Sequence, residues 1–372
     1  MNKQIKNIIF ICSILILFLS IFLLNYFTDV YNIRNPKPYD IYYDIDRSLI
    51  NAKLKASKKN ECDNLVMGSS VTQTLFASFE SLKISRFILS AISYKEYYEI
   101  LQIFFNIHKE AKTIFLPLGY HTILFDDEVY EYDEKFDYKE NLSYKEIIRV
   151  YFSFEATKKS IEYWIEKAKS EPKEVEVRVD GYDLFSVPEM KLTPNIKLSE
   201  SKIESDYYYW GKIIDFLQER NIKIYCFIPP VNYIYLQDAL TPEKVEVVNN
   251  LKKLVTSKGV KILDFTKKNQ YNQQRLDESC LFFDVIHPNF LYGNIVYKNL
   301  TNQKSDTMWY RIITKDNVDE CNRLSVKELD EYRKTHKDYI KEYYMYGTVE
   351  WNSPKNRRVI HYEEIPDFIK YY

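Results

Sequence analysis

The sequence predicts an α/β domain of three layers, a parallel sheet covered on both faces, preceded by one membrane-spanning helix. Three observations carry that expectation. The stretch Ile8–Phe27 runs for 20 residues without a charge. Between about residues 58 and 303, short apolar runs alternate with amphipathic stretches of helical period. The short runs are apolar throughout, as in strands buried on both faces of a parallel sheet.

The apolar run, IIFICSILILFLSIFLLNYF, is long enough for a helix to cross roughly 30 Å of hydrocarbon. Lys3 and Lys6 precede it and Asp29 follows, so the positive-inside rule keeps the N-terminus cytoplasmic and places the rest outside. A cleaved signal peptide fits less well, because NYFTDVYN offers no small-x-small cleavage site. Residues 1–30 are therefore expected to be an uncleaved anchor in the cell membrane, with the bilayer as a partner.

Beyond the anchor, Asn64–Met67 is a short buried strand that ends at Gly68, with a helix expected to start near Thr72, and Ser93–His108 is an amphipathic helix. Thr113–Leu118 reads as a second strand. Residues 140–170 read as helical, with Ile147, Ile148, Phe152 and Ile161 on one side. Val175–Val187 alternates around Gly181 like a small inserted hairpin. A helix over Asp206–Arg220 leads to the strand Ile222–Ile228, which Pro229 and Pro230 stop. Pro242–Ser257 is a helix with proline in its first turn, Val260–Asp264 a strand, and Pro288–Leu300 the last helix. Past residue 304 the alternation stops, and 304–372 is expected to be an appendage with one helix over Val326–Tyr343.

Composition narrows the function classes. Of 372 residues only 7 are Gly, against about 26 at the usual frequency, while 34 are Tyr and 22 Phe. An AT-rich coding sequence accounts for both, so the aromatic surplus is a weak argument for a glycan-binding surface. Lys+Arg 52 against Asp+Glu 53 gives a net charge of −1 and no electrostatic case for nucleic acid as a partner. Outside the anchor, Cys62, Cys226, Cys280 and Cys321 show no zinc-ligand spacing. In an oxidising compartment they allow two disulfides in three connectivities, with buried apolar filling the favoured role for Cys226.

Two loops carry chemistry. Gly68-Ser69-Ser70 follows the first strand, where glycine permits a sharp turn and a serine there presents its hydroxyl and its amide together. Phe283-Asp284-Val285-Ile286-His287-Pro288 leads into the last helix. An Asp and a His three apart on a turn can bond, the carboxylate fixing the imidazole tautomer.

A Gly-x-Ser after the first strand and an Asp-x-x-His before the last helix resemble the SGNH (GDSL-like) hydrolase superfamily. The layout is most similar to membrane-anchored members found with polysaccharide O-acetylation and to the D-alanine transfer protein of the teichoic-acid system. That resemblance implies a flavodoxin-like SGNH-type domain over 58–303. It also implies Ser70 as nucleophile, His287 as general base and Asp284 as its orienting partner. Gly68 and Ser69 belong to the nucleophile turn, with Ser69 where the family usually has Asp. The second block falls near Leu89–Ser93, without a glycine, and brings Ser93 to the pocket. The third follows TIFLPL, where Gly119-Tyr120-His121 stands without an Asn, leaving the Gly119 amide or His121 to donate to an oxyanion.

The implied activity is an extracytoplasmic serine esterase or O-acyltransferase working on a surface polysaccharide. Its partners would be an acylated or acyl-accepting glycan and, for a transferase, a membrane-bound acyl donor protein; neither a metal nor a cofactor is required. The alternatives are a non-catalytic scaffold on the same fold within an envelope-polymer machine, and a glycan-binding module.

Overall fold

The computed structural model describes residues 3–31, 33–34, 50–58, 63–73, 84–88, 93–120, 143–169, 199–275, 279, 281–282, 286–288, 290–303 and 306–340. The expected hairpin at Val175–Val187 lies outside these residues, as do His121 and Asp284. The chain folds as two compact units: Met1–Pro38 with Ile45–Glu61 and Asp137–Glu174, and Tyr39–Asp44 with Cys62–Phe136 and Val175–Tyr372.

The first unit holds α1 (Lys3–Thr28), α2 (Ile50–Ser57), α5 (Tyr144–Phe152) and α6 (Phe154–Lys169). α1 is long and apolar enough to cross a membrane. Its end is marked by Asp29, whose φ of 50° leaves the helical region and whose carboxylate accepts from the Ile33 and Arg34 amides. The stretch 140–170, expected to be helical, holds two helices. Ser153 separates them: its hydroxyl donates to Arg149 O at the end of α5 and accepts from Ala156 N at the start of α6, the local competition that makes serine a helix boundary. Val150 and Ala156 are buried against Tyr31, Ile33 and Ala52, whereas Ile148 and Ile161 are exposed.

The second unit is a mixed α/β body. Its elements are β1 (Asn64–Gly68), α3 (Ser70–Gln73), β2 (Ile84–Ile88), α4 (Tyr94–Ile107), β3 (Thr113–Pro117), α7 (Glu200–Glu219), β4 (Lys223–Ile228), α8 (Tyr233–Ala239), α9 (Pro242–Ser257), β5 (Ile262–Asp264), α10 (Phe290–Leu300), β6 (Arg311–Ile313) and α11 (Val318–Thr335). The six strands form one sheet in the order β2-β1-β3-β4-β5-β6. β1 to β5 are mutually parallel and β6 is antiparallel to β5.

Strand parity divides the sheet's side chains between two cores. Val66, Phe115, Phe227 and Phe265 pack with Tyr292 and Ile295 of α10. The residues of opposite parity meet the other helices, with Cys226 near Tyr94 of α4 and Asp264 facing Lys252 of α9. α4 joins α7 through Tyr94 and Trp210, 5.2 Å between ring centroids. Both faces of the sheet are thus covered, as parallel pairing requires.

Sheet and core continue past the expected end at residue 303. β6 adds a strand, and Trp309 and Tyr310 belong to the α10 core. The helix expected over Val326–Tyr343 runs from Val318 to Thr335. Glu328 on it fastens the segment, accepting two bonds from Arg311 at 2.8 and 2.7 Å and one from Tyr233 at 3.3 Å. Cys226 and Cys321 are buried free thiols; Cys62 and Cys280 lie outside the described residues. Gly259 closes α9 at φ 79°, the left-handed position after a helix end that glycine occupies without strain.

His108 ends α4, buried against Phe104 with ring centroids 4.5 Å apart. Burial lowers its imidazole below the ordinary value, and Glu110, 3.3 Å away, opposes the shift only in part. The folded chain therefore takes up this proton less readily than the unfolded chain. The associated stability is present above about pH 6.5 and is lost as pH falls through the lower folded value. Denaturant midpoints should drop between about pH 7 and pH 5, and His108→Gln should flatten that dependence.

Candidate functional site

Because β1 to β5 are parallel, their carboxyl ends share one edge of the sheet. The order 2-1-3-4-5 reverses direction between β1 and β3, and in doubly wound sheets ligands bind at such a switch point, outside the carboxyl ends. Two expected site loops flank that position: Gly68-Ser69-Ser70 after β1, and Gly119 after β3. Ser93 follows β2, the other neighbour of β1.

The turn after β1 is built without slack. Ser70 is the first residue of α3, two positions earlier than the sequence suggested. Ser69 is buried, and its carbonyl accepts from Thr72 N at 2.9 Å and Thr72 Oγ1 at 2.8 Å. That bond folds the Thr72 side chain back over Gly68. A Cβ on Gly68 would lie 1.8 Å from Thr72 Oγ1 and 2.8 Å from its Cβ, so the position admits no side chain unless the turn moves.

Ser93 caps α4. Its hydroxyl accepts from Glu96 N and donates to Glu96 Oε2, while its own amide donates to the same carboxylate, a complete capping box. The Gly119 carbonyl accepts a long bond, 3.4 Å, from the buried Tyr94 hydroxyl. Burial pushes that phenol well above its ordinary range, so it stays a neutral donor.

His287 is half-buried in the segment between β5 and α10. An antiparallel bridge between Phe282 and Pro288 closes the loop around it, and the buried Phe282 and Ile286 pin it to the core. Tyr292, in the first turn of α10, accepts from Asn269 Nδ2 at 3.4 Å, a bond that ties α10 to the segment after β5. The path there is fixed by paired Asx turns: Asn269 Oδ1 accepts from the Tyr271 and Asn272 amides, and Asn272 Oδ1 from the Asn269 amide.

A charged cluster at this edge is not among the sequence expectations. Asp264, the last residue of β5, is fully buried and accepts from Thr266 N at 3.0 Å and Thr266 Oγ1 at 2.5 Å. Its second oxygen lies 3.8 Å from the ammonium of buried Lys252 and has no hydrogen-bond partner among the described residues. Tyr120, next to Gly119, lies with its ring 5.4 Å from that ammonium. Burial alone would pull Lys252 down, yet Tyr120 and Asp264 outweigh it and hold the amine above its ordinary value. Lying between Tyr120 and Asp264, the Lys252 ammonium links the segment after β3 to the end of β5. One sequence signal was visible: Lys252 stands on the apolar face set by Val248, Leu251 and Val255. Among the described residues, no group of three or more His, Cys, Asp or Glu side chains is placed to hold a metal.

No known family model matches this chain. No curated protein matches it either. One solved structure, provisionally named a platelet activating factor from Streptococcus pneumonia, superposes with a TM-score of 0.36 at 15% identity, over 68% of this chain and 90% of that one. So loose a superposition carries no functional inference to this chain.

Two substitutions probe the edge. Gly68→Ala should cost about 1–3 kcal/mol through overpacking against Thr72, read as a lower unfolding midpoint. Asp264→Ala strands the Lys252 ammonium and should cost about 3–5 kcal/mol. The double variant Asp264→Ala/Lys252→Met should recover much of that loss in the same measurement.

Proposed function

We propose that the chain is a membrane-anchored serine esterase or O-acyltransferase with a flavodoxin-like SGNH fold, acting outside the cell membrane on acyl groups of a surface polysaccharide. One observation carries the reading: a Gly-Ser-Ser turn, held too tightly for any side chain at Gly68, directly follows the strand beside the switch point. His287 precedes α10, whose first turn is tied through Tyr292 to Asn269 in the segment after β5.

In this mechanism Ser70 Oγ attacks the ester carbonyl while His287 takes its proton, and Asp284 steadies the imidazolium. The Ser70 amide, with Gly119 or His121, holds the oxyanion. Collapse expels the alkoxide, which takes the proton from His287 and leaves an acyl-serine. Water or a sugar hydroxyl then attacks, with His287 again as base. A transferase draws its acyl group from a membrane-bound donor protein, since acyl-CoA is absent outside. A non-catalytic scaffold is the second reading, favoured by the Ser93 hydroxyl being engaged in capping α4.

Ser70→Ala should lower p-nitrophenyl acetate turnover by about 10³-fold or more and abolish fluorophosphonate labelling, with an unchanged circular dichroism spectrum. A wild-type protein that shows neither reaction, and transfers no acetyl group to envelope polysaccharide, overturns the enzyme reading in favour of the scaffold.

A further inference from the structure

Lys252 is fully buried on a helix face otherwise set by Val248, Leu251 and Val255. Exchanging a buried ion pair for apolar side chains of similar volume is often neutral or stabilising, so folding alone gives little reason for a lysine there. The position of its ammonium supplies one. Asp264, 3.8 Å away, ends β5 and is itself fixed by the Thr266 amide and hydroxyl. On the other side stands the Tyr120 ring, 5.4 Å from the ammonium, with its hydroxyl turned toward Lys252 and Thr266.

The segment after β3 is fastened residue by residue, each time by a different element. Leu118 N donates to Phe227 O of β4 at 2.7 Å, which carries the sheet pairing one residue past the strand. The Gly119 carbonyl accepts from the Tyr94 hydroxyl of α4 at 3.4 Å. Tyr120, buried in its turn, meets Lys252 of α9. The bond from Tyr94 is long, and Gly119 has no side chain to grip. How the chain leaves Gly119 therefore depends on how Tyr120 is seated.

We propose that Lys252 is a positioning residue for ester cleavage: held by Asp264, it seats Tyr120 and so sets where the Gly119 amide or His121 meets the oxyanion. The inference rests on the proposed Ser70 chemistry. Lys252 acts through Tyr120, not on the ester. An apolar side chain at position 252 would fill the volume yet give the phenol no charge to turn toward. Misplacing a group of the site by about 1 Å costs on the order of 10²-fold in rate, so a buried charge that fixes one ring has a use that packing lacks.

The test uses the full chain in detergent micelles. Turnover of p-nitrophenyl acetate, the rate of fluorophosphonate labelling and the unfolding midpoint are measured together. Two variants remove the contact: Tyr120→Phe, and Asp264→Ala/Lys252→Met, in which no buried charge of the pair is stranded. Both should lower kcat and the labelling rate about 10- to 100-fold. KM should stay within about twofold, because an oxyanion donor acts in the transition state rather than on bound substrate. Tyr120→Phe should unfold near the wild-type midpoint. A folded Tyr120→Phe that reacts at the wild-type rate, a rise in KM at unchanged kcat, or activity lost only in proportion to folded protein overturns the positioning role. Wild-type turnover that still depends on Ser70 then leaves the enzyme reading standing. A wild type that shows neither reaction, and no acetyl transfer to envelope polysaccharide, overturns both.

Discussion

Parallel pairing of β1 to β5 is the constraint on which the second unit depends. A parallel neighbour cannot be reached by a tight turn, so each connection must cross a face of the sheet. That demand places helices on both sides and makes the central strands largely apolar. It also delivers every strand-to-helix turn to one edge. The position of Gly68, Ser70, Gly119 and Asp264 along a single rim follows from strand direction before any side-chain chemistry is considered.

That rim is held by short-range fits rather than by more hydrophobic area. Thr72 closes over Gly68 and bonds the Ser69 carbonyl, which fixes the direction in which the chain leaves β1. Across the sheet, Asp264 and Lys252 are buried together. Each charge is tolerable there only because the other is present. The two arrangements differ in sensitivity: the turn fails when an atom is added, the ion pair when one is removed.

Much of this was legible in the sequence, and the gaps have physical causes. β1, β3, β4 and β5 stood out because central strands are apolar on both faces. β2 contains Ser85 and Arg86 and escaped notice; it pairs only with β1, and an edge strand tolerates polar residues. β6 is three residues long and starts with Arg311, whose charge is satisfied by Glu328 far along the chain. The glycine turn was readable because Gly68 directly follows the apolar run Asn64–Met67. Lys252 and Asp264 were not, because a charge on an apolar helix face is interpretable only once its partner is known. Ser93 was read for chemistry, yet Glu96 three residues on is also the local signature of a helix start.

The first unit shows the limit of the rule that apolar residues mark a core. Ile148 and Ile161 share one side by their spacing and are exposed, whereas the fold buries Val150, Ala156 and Ser160. Spacing identifies an apolar face but not the medium it meets, which can be protein or lipid. Asn25 makes three side-chain hydrogen bonds to α5, α6 and the turn between them while buried, and such bonds are stronger where water is excluded. The exterior of the helix pair mixes the two chemistries, with exposed Phe154 and Ile148 beside the exposed Lys158–Glu162 pair.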